Sequence, residues 1–94
     1  MTARVTLPRH VVHRPFPTET VILNLETGKY HGVNPTGGRI LTVLLERGEV
    51  RAAAEALASE FNRPPAEIAG DVCAFCRELS ARGLIELHQP EPRA

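Results

Sequence analysis

Apolar positions change their period about a third of the way along the chain. Up to Val33 they come in short β-favouring runs bounded by proline, glycine and polar residues, and from Asn34 onward they recur every three to four residues. Val11, Val12 and His13 form a first short strand, closed by Pro15 and Pro17, which have no N–H to give to a ladder and so mark an edge or a strand end. Val21 to Leu25 is a stronger run. Glu26-Thr27-Gly28 then supplies a turn with glycine for positive φ, and Lys29 to Val33 returns as the second arm of a hairpin. If Thr27-Gly28 is a two-residue turn, Leu25 faces Tyr30, Leu23 faces Gly32, and Glu26 pairs with Lys29 on the solvent side. A three-residue turn would set Lys29 and His31 beside Leu25 and Leu23 and bury charge, so the even turn is expected.

Three helices follow, each with its own punctuation. Asn34-Pro35 is an N-cap with proline at the first helical position, Ile40, Leu41, Leu44 and Leu45 make an apolar stripe, and Gly48 closes the helix. The second helix runs from about Val50, carries Val50, Ala54, Leu57 and Phe61 at helical spacing, and stops at Asn62. Pro64-Pro65 starts the third, in which Ile68, Val72, Phe75 and Leu79 share a stripe and Gly83 is the cap. Leu84 to Leu87 supplies a short terminal strand. The order predicts an α+β, winged-helix-like domain over residues 5–88, a three-stranded antiparallel sheet followed by three helices. Residues 89–94, polar and proline-rich, are expected to form a disordered tail.

Composition narrows the function. At 94 residues the chain has room for one small core and little room for an enclosed catalytic cavity, so a groove or an edge is the expected working surface. Eleven basic and eleven acidic residues cancel, which gives no net field toward nucleic acid or an anionic membrane. No apolar run is long enough to span a bilayer, no signal-peptide core precedes His10, and the cysteines are not spread as disulfide staples; a cytoplasmic protein is expected.

Cys73 and Cys76 are the most tempting chemical signal. A metal site needs four ligands, yet no second CxxC exists and His10, His13, His31 and His88 lack paired spacing. Redox-active pairs sit at helix N-termini, whereas these lie mid-helix, so both read as small semi-buried hydrophobes. No GxSxG is present, and Thr36-Gly37-Gly38-Arg39 lacks the lysine and spacing of a phosphate loop, so it reads as helix entry. Neither an enzyme nor a cofactor is expected. DNA binding is the alternative, because the element order is that of winged-helix transcriptional regulators. The third helix would then be the reader, but it brings Glu67, Asp71 and Glu78 against Arg77 and Arg82.

In a three-stranded meander the strand Lys29 to Val33 lies on the outside, with unpaired backbone groups that suit strand addition by a peptide as well as they suit a merely short edge. Specificity would come from alternate side chains of that peptide entering a groove lined by Tyr30, Val72, Phe75 and Leu79. Asp71 is placed either to meet a polar or basic group or to stand in solvent. Of the two flanks of the third helix, the one carrying Asp71, Phe75 and Glu78 is favoured over the one carrying Cys73 and Cys76.

The segment VILNLETGKYHGVN at 21–34, the following PTG before Ile40, the Gly48 break, and Asp71-Val72 with Phe75, Leu79 and the GLIE run at 83–86 resemble the PqqD-like family. The resemblance covers about residues 11–87 in order. It implies a non-enzymatic recognition domain that binds the leader of a ribosomally made precursor peptide, most similar to stand-alone members of lasso-peptide clusters. The implied partners are the precursor leader, a leader peptidase and, downstream, a macrolactam-forming cyclase. The resemblance places the leader antiparallel against Lys29, Tyr30, His31, Gly32 and Val33 and in touch with the third helix, where the groove and the favoured flank make Asp71, Val72, Phe75, Glu78 and Leu79 the expected peptide-binding residues. Tyr30, Asp71 and Phe75 match pattern positions of the family, and Cys73 and Cys76 match none.

Overall fold

A computed structural model describes residues 3–88. In chain order the elements are β1 (Arg4–Thr6), β2 (Val11–Pro15), β3 (Thr20–Asn24), β4 (Tyr30–Val33), α1 (Pro35–Arg47), α2 (Val50–Phe61), α3 (Pro65–Ala81) and β5 (Glu86–His88). Strands β2, β3 and β4 form an antiparallel sheet in that order, and β1 pairs with β5 in a separate two-stranded ribbon. This is the α+β arrangement of a three-stranded antiparallel sheet followed by three helices that the element order predicts.

The helix ends follow their punctuation. Asn34 has extended backbone, and its side chain accepts from Gly37 N at 2.7 Å, satisfying one of the donors that a first turn leaves orphaned; Pro35 follows at a position where no N–H is needed. Asn62 ends α2 in the left-handed conformation. Gly83, at φ 72°, lets Leu84 N reach Leu79 O at 2.9 Å while its own N–H reaches Ser80 O at 3.0 Å, the paired bonds of a Schellman close.

The core lies between the inner face of the large sheet and the three helices. Ile22, Leu41, Leu44, Leu57, Val72 and Leu79 are fully buried, each such side chain stabilising the fold by about 1.5–3 kcal/mol. Helix α1 approaches β3 closely because Gly38 has no side chain where Thr20 is buried beneath it.

Expectations for the strands are corrected. The hairpin pairs Leu23 with Tyr30 and Ile22 with His31, two residues out of the expected register. The cause is Asn24, whose Oδ1 accepts from Glu26 N at 2.9 Å and Thr27 N at 3.2 Å, so the turn begins a residue earlier and Leu25 belongs to the loop. The sheet also turns its other face inward: Ile22 is fully buried, while Leu25 and Tyr30 are 58% and 75% exposed. The run Val21-Ile22-Leu23 carries no alternation to decide that parity, and the buried Thr20 and Ile22 decide it instead. The terminal strand covers Glu86–His88 rather than starting at Leu84, and its partner β1 was not expected. With Ala3 and Val5 in the core, the boundary expected at residue 5 falls inside β1. The tail expected at 89–94 lies outside the described residues.

Candidate functional site

The sheet's two edges differ in their free hydrogen-bond donors. In the β3–β4 pairing Asn24 N donates to Lys29 O at 2.9 Å, so with antiparallel alternation Lys29, His31 and Val33 turn their backbone groups toward β3. Tyr30 and Gly32 turn theirs outward, two N–H donors without a neighbouring strand among the described residues. On the opposite edge Phe16 N donates to Glu19 O and Leu25 N to His10 O, which leaves Val11, His13 and Pro15 pointing outward. Val11 N is already given to Pro8 O at 3.1 Å and Pro15 has no N–H, so β2 presents only His13. The open edge is β4.

Beside that edge lies a groove of about 400 Å3 between β4, the first turn of α1 and one side of α3. His31, Gly32 and Val33 form one wall, Asp71, Phe75 and Glu78 the other. Those three α3 residues stand at i, i+4 and i+7, which puts them on one face of the helix. The Phe75 ring reaches α1, since a Cβ built on Gly37 would lie 3.3 Å from its Cε1 and 3.4 Å from Val33 Cβ. The ring is half-buried and makes the apolar patch of the groove. Among the described residues neither Asp71 nor Glu78 has a side-chain hydrogen bond or ion pair.

Of the ten residues expected from sequence, six meet in this groove: His31, Gly32, Val33, Asp71, Phe75 and Glu78. Lys29 and Tyr30 instead line a second depression of about 270 Å3 with Asn24, Thr27, Arg82 and Leu84, His31 being common to both. Val72 and Leu79 are fully buried and do not line the groove; they pack the core under α3. Asn34, Thr36, Gly37 and Ile40 also line it, read from sequence only as helix cap, helix entry and apolar stripe. The Asn34-Pro35 cap held the clue, because it starts α1 immediately after the edge strand and so brings its first turn to the strand's end.

The cysteine pair lies apart from the groove. Cys76 is buried and its thiol is pushed up to about 11, first by burial and then by the neighbouring Cys73, the opposite of what an activated thiol needs. Among the described residues no group of three or more His, Cys, Asp or Glu side chains could hold a metal ion, and no helix is long and apolar enough to cross a membrane.

The site is thus an open strand edge beside a helix-walled groove, and sequence comparison gives the family. Residues 19–85 match the family described as coenzyme PQQ synthesis protein D, and the chain belongs to that PqqD family. Two solved structures share its fold at a TM-score of 0.78. TbiB1 in complex with the TbiA(beta) leader peptide is 28% identical, over 86% of this chain and 94% of that one. A lasso peptide synthetase B1 complexed with the leader peptide is 22% identical, over 88% and 98%. No curated protein sequence matches the chain.

Proposed function

We propose that this protein binds the leader of a ribosomally made precursor peptide, a lasso-peptide precursor, and hands it to a leader peptidase ahead of a macrolactam-forming cyclase. It does so in the cytoplasm, without catalysis and without a cofactor. The observation that carries this reading is the β4 edge, whose two free donors at Tyr30 and Gly32 border a groove shared with α3. A leader segment adds there as a fourth strand, antiparallel to Lys29–Val33. Its backbone pairs with Tyr30 and Gly32, and alternate side chains meet Phe75, Asp71 and Glu78. Val72 and Leu79 hold that wall from beneath. The fold shared with leader-bound proteins supports the choice of ligand.

Titration with a labelled leader peptide of a lasso-peptide precursor tests the reading. Saturable one-to-one binding that shifts the Tyr30 and Gly32 amide resonances is expected. Absence of binding, or binding that leaves those amides unmoved, overturns it.

A further inference from the structure

Four charged side chains line the route beside β4, and they are sorted by sign. Helix α3 and its C-cap residue Arg82 present Asp71, Phe75, Glu78 and Arg82 at i, i+4, i+7 and i+11, a single stripe. Its acidic part, Asp71 and Glu78, faces the groove at Gly32 and Val33, where no lysine or arginine contributes to the lining. Arg82 lines the second depression together with Lys29 and Tyr30, where no carboxylate contributes. All four side chains are exposed, and among the described residues none forms a side-chain ion pair or hydrogen bond. The protein holds an uncompensated negative end and an uncompensated positive end along one edge.

The pairing geometry converts this into a sequence preference. Side chains directly opposite one another in an antiparallel pair lie on the same face of the sheet. Ile22 and Thr20, which face the core, pair with His31 and Val33, so the side chains of Lys29, His31 and Val33 point to the core side of the sheet, where His31 and Val33 share the groove with α3. A strand added to β4 therefore turns toward α3 the residues opposite Val33, His31 and Lys29, in that order along an antiparallel chain. These are its positions i, i+2 and i+4, about 13 Å from first to last. The stripe from Asp71 to Arg82 rises about 16 Å along the helix, a closely matching span.

Resting on the leader-binding reading, we infer that the site selects a peptide in which a basic residue precedes an acidic residue by four positions. The basic residue lies opposite Val33 against Asp71 and Glu78, and the acidic residue lies opposite Lys29 against Arg82. Charge order thus selects the binding segment and fixes its direction, which backbone hydrogen bonds alone do not specify.

Three nine-residue probes of alternating Thr and Val, acetylated and amidated to remove terminal charge, test this. One carries Lys at its third and Glu at its seventh position, one carries the reverse, and one carries Gln at both. Affinities come from fluorescence anisotropy, and the site of binding from the Tyr30 and Gly32 amide resonances. The Lys-first probe is expected to bind about tenfold more tightly than the Glu-first probe, with Gln between them. That gap should collapse in 1 M salt and in the folded Asp71→Asn/Arg82→Gln variant. Equal affinities for the three, with the amides shifted, would overturn the charge order and leave strand addition standing. Probes that leave those amides unmoved would overturn strand addition itself.

Discussion

Gly38 sits on Thr20 so closely that a Cβ added to the glycine would lie 2.9 Å from Thr20 Cβ and nearer still to its Oγ1. The same substitution at Gly70, within α3, would meet nothing within 4 Å. The two glycines therefore respond to alanine with opposite signs. Gly70→Ala is expected to raise stability by up to about 1 kcal/mol through helix propensity. In Gly38→Ala that gain is outweighed by overpacking, which costs about 1–3 kcal/mol and pushes α1 off the sheet. Urea titration of the two variants checks the signs.

Replacing Gly32 by proline removes an outward N–H while sparing the bonds that Lys29, His31 and Val33 make to β3. Leader affinity is expected to fall by about five- to a hundredfold, equivalent to roughly 1–3 kcal/mol, with the fold intact by circular dichroism. Gly32→Ala keeps the donor and separates its loss from added bulk, the nearest obstacle being the Glu19 carboxylate. Unchanged affinity in a folded Gly32→Pro variant would reject addition at this edge.

Phe75 and Leu79 stand one helical turn apart on α3 yet should fail differently. Leu79→Ala opens a cavity in the core and is expected to cost about 2–5 kcal/mol in stability. Phe75→Ala strips the apolar surface from the groove, so a fall in leader affinity should exceed its loss of stability. Thermal melts beside peptide titrations distinguish the two. Equal losses of stability with unchanged binding would remove Phe75 from the site.

The buried Cys76 thiol links stability to alkaline pH. Its pKa is raised from an ordinary 9.0 to about 11 in the folded chain, so between those values the folded state keeps a proton that the unfolded state has lost. Stability is then complete below pH 9 and falls as pH rises toward 11, by up to about 2 kcal/mol. Denaturant midpoints should decline over that window in the wild type and less in Cys76→Ala, compared with each protein's own value at pH 8. A thiol reagent at pH 8 should reach Cys76 only on unfolding.

How far the sequence disclosed this architecture depends on how local each determinant is. Asn34, Gly48, Asn62, Pro65 and Gly83 act within a turn of their own position, and every helix boundary but the start of α2 follows from them. Strand β1 is three residues long and its register partner lies at the far end of the chain, Arg4 opposite His88, so nothing near it announces a strand. The hairpin register turned on the Asn24 side chain, yet the displacement was by two residues. Because the ladder alternates with the same period, Tyr30 and Gly32 kept their outward backbone groups. On α3 the groove stripe and the core stripe lie side by side, and spacing alone assigned Val72 and Leu79 to the wrong one. Only the packing of the helix against Leu57 and its neighbours separates them.

The unequal edges of the sheet set a valence. A sheet with donors free on both sides can propagate, each added strand offering the next a template, and that is the route to fibrils. Here β2 is blunted by Pro15 and by the Val11 bond to Pro8, while β4 is open. Among the described residues the sheet is a socket with one wide opening, because the edge across from β4 keeps only the His13 N–H as a free strand donor. On the strand-addition reading, one bound segment occupies the β4 edge and leaves the blunted β2 edge as the far side of the sheet.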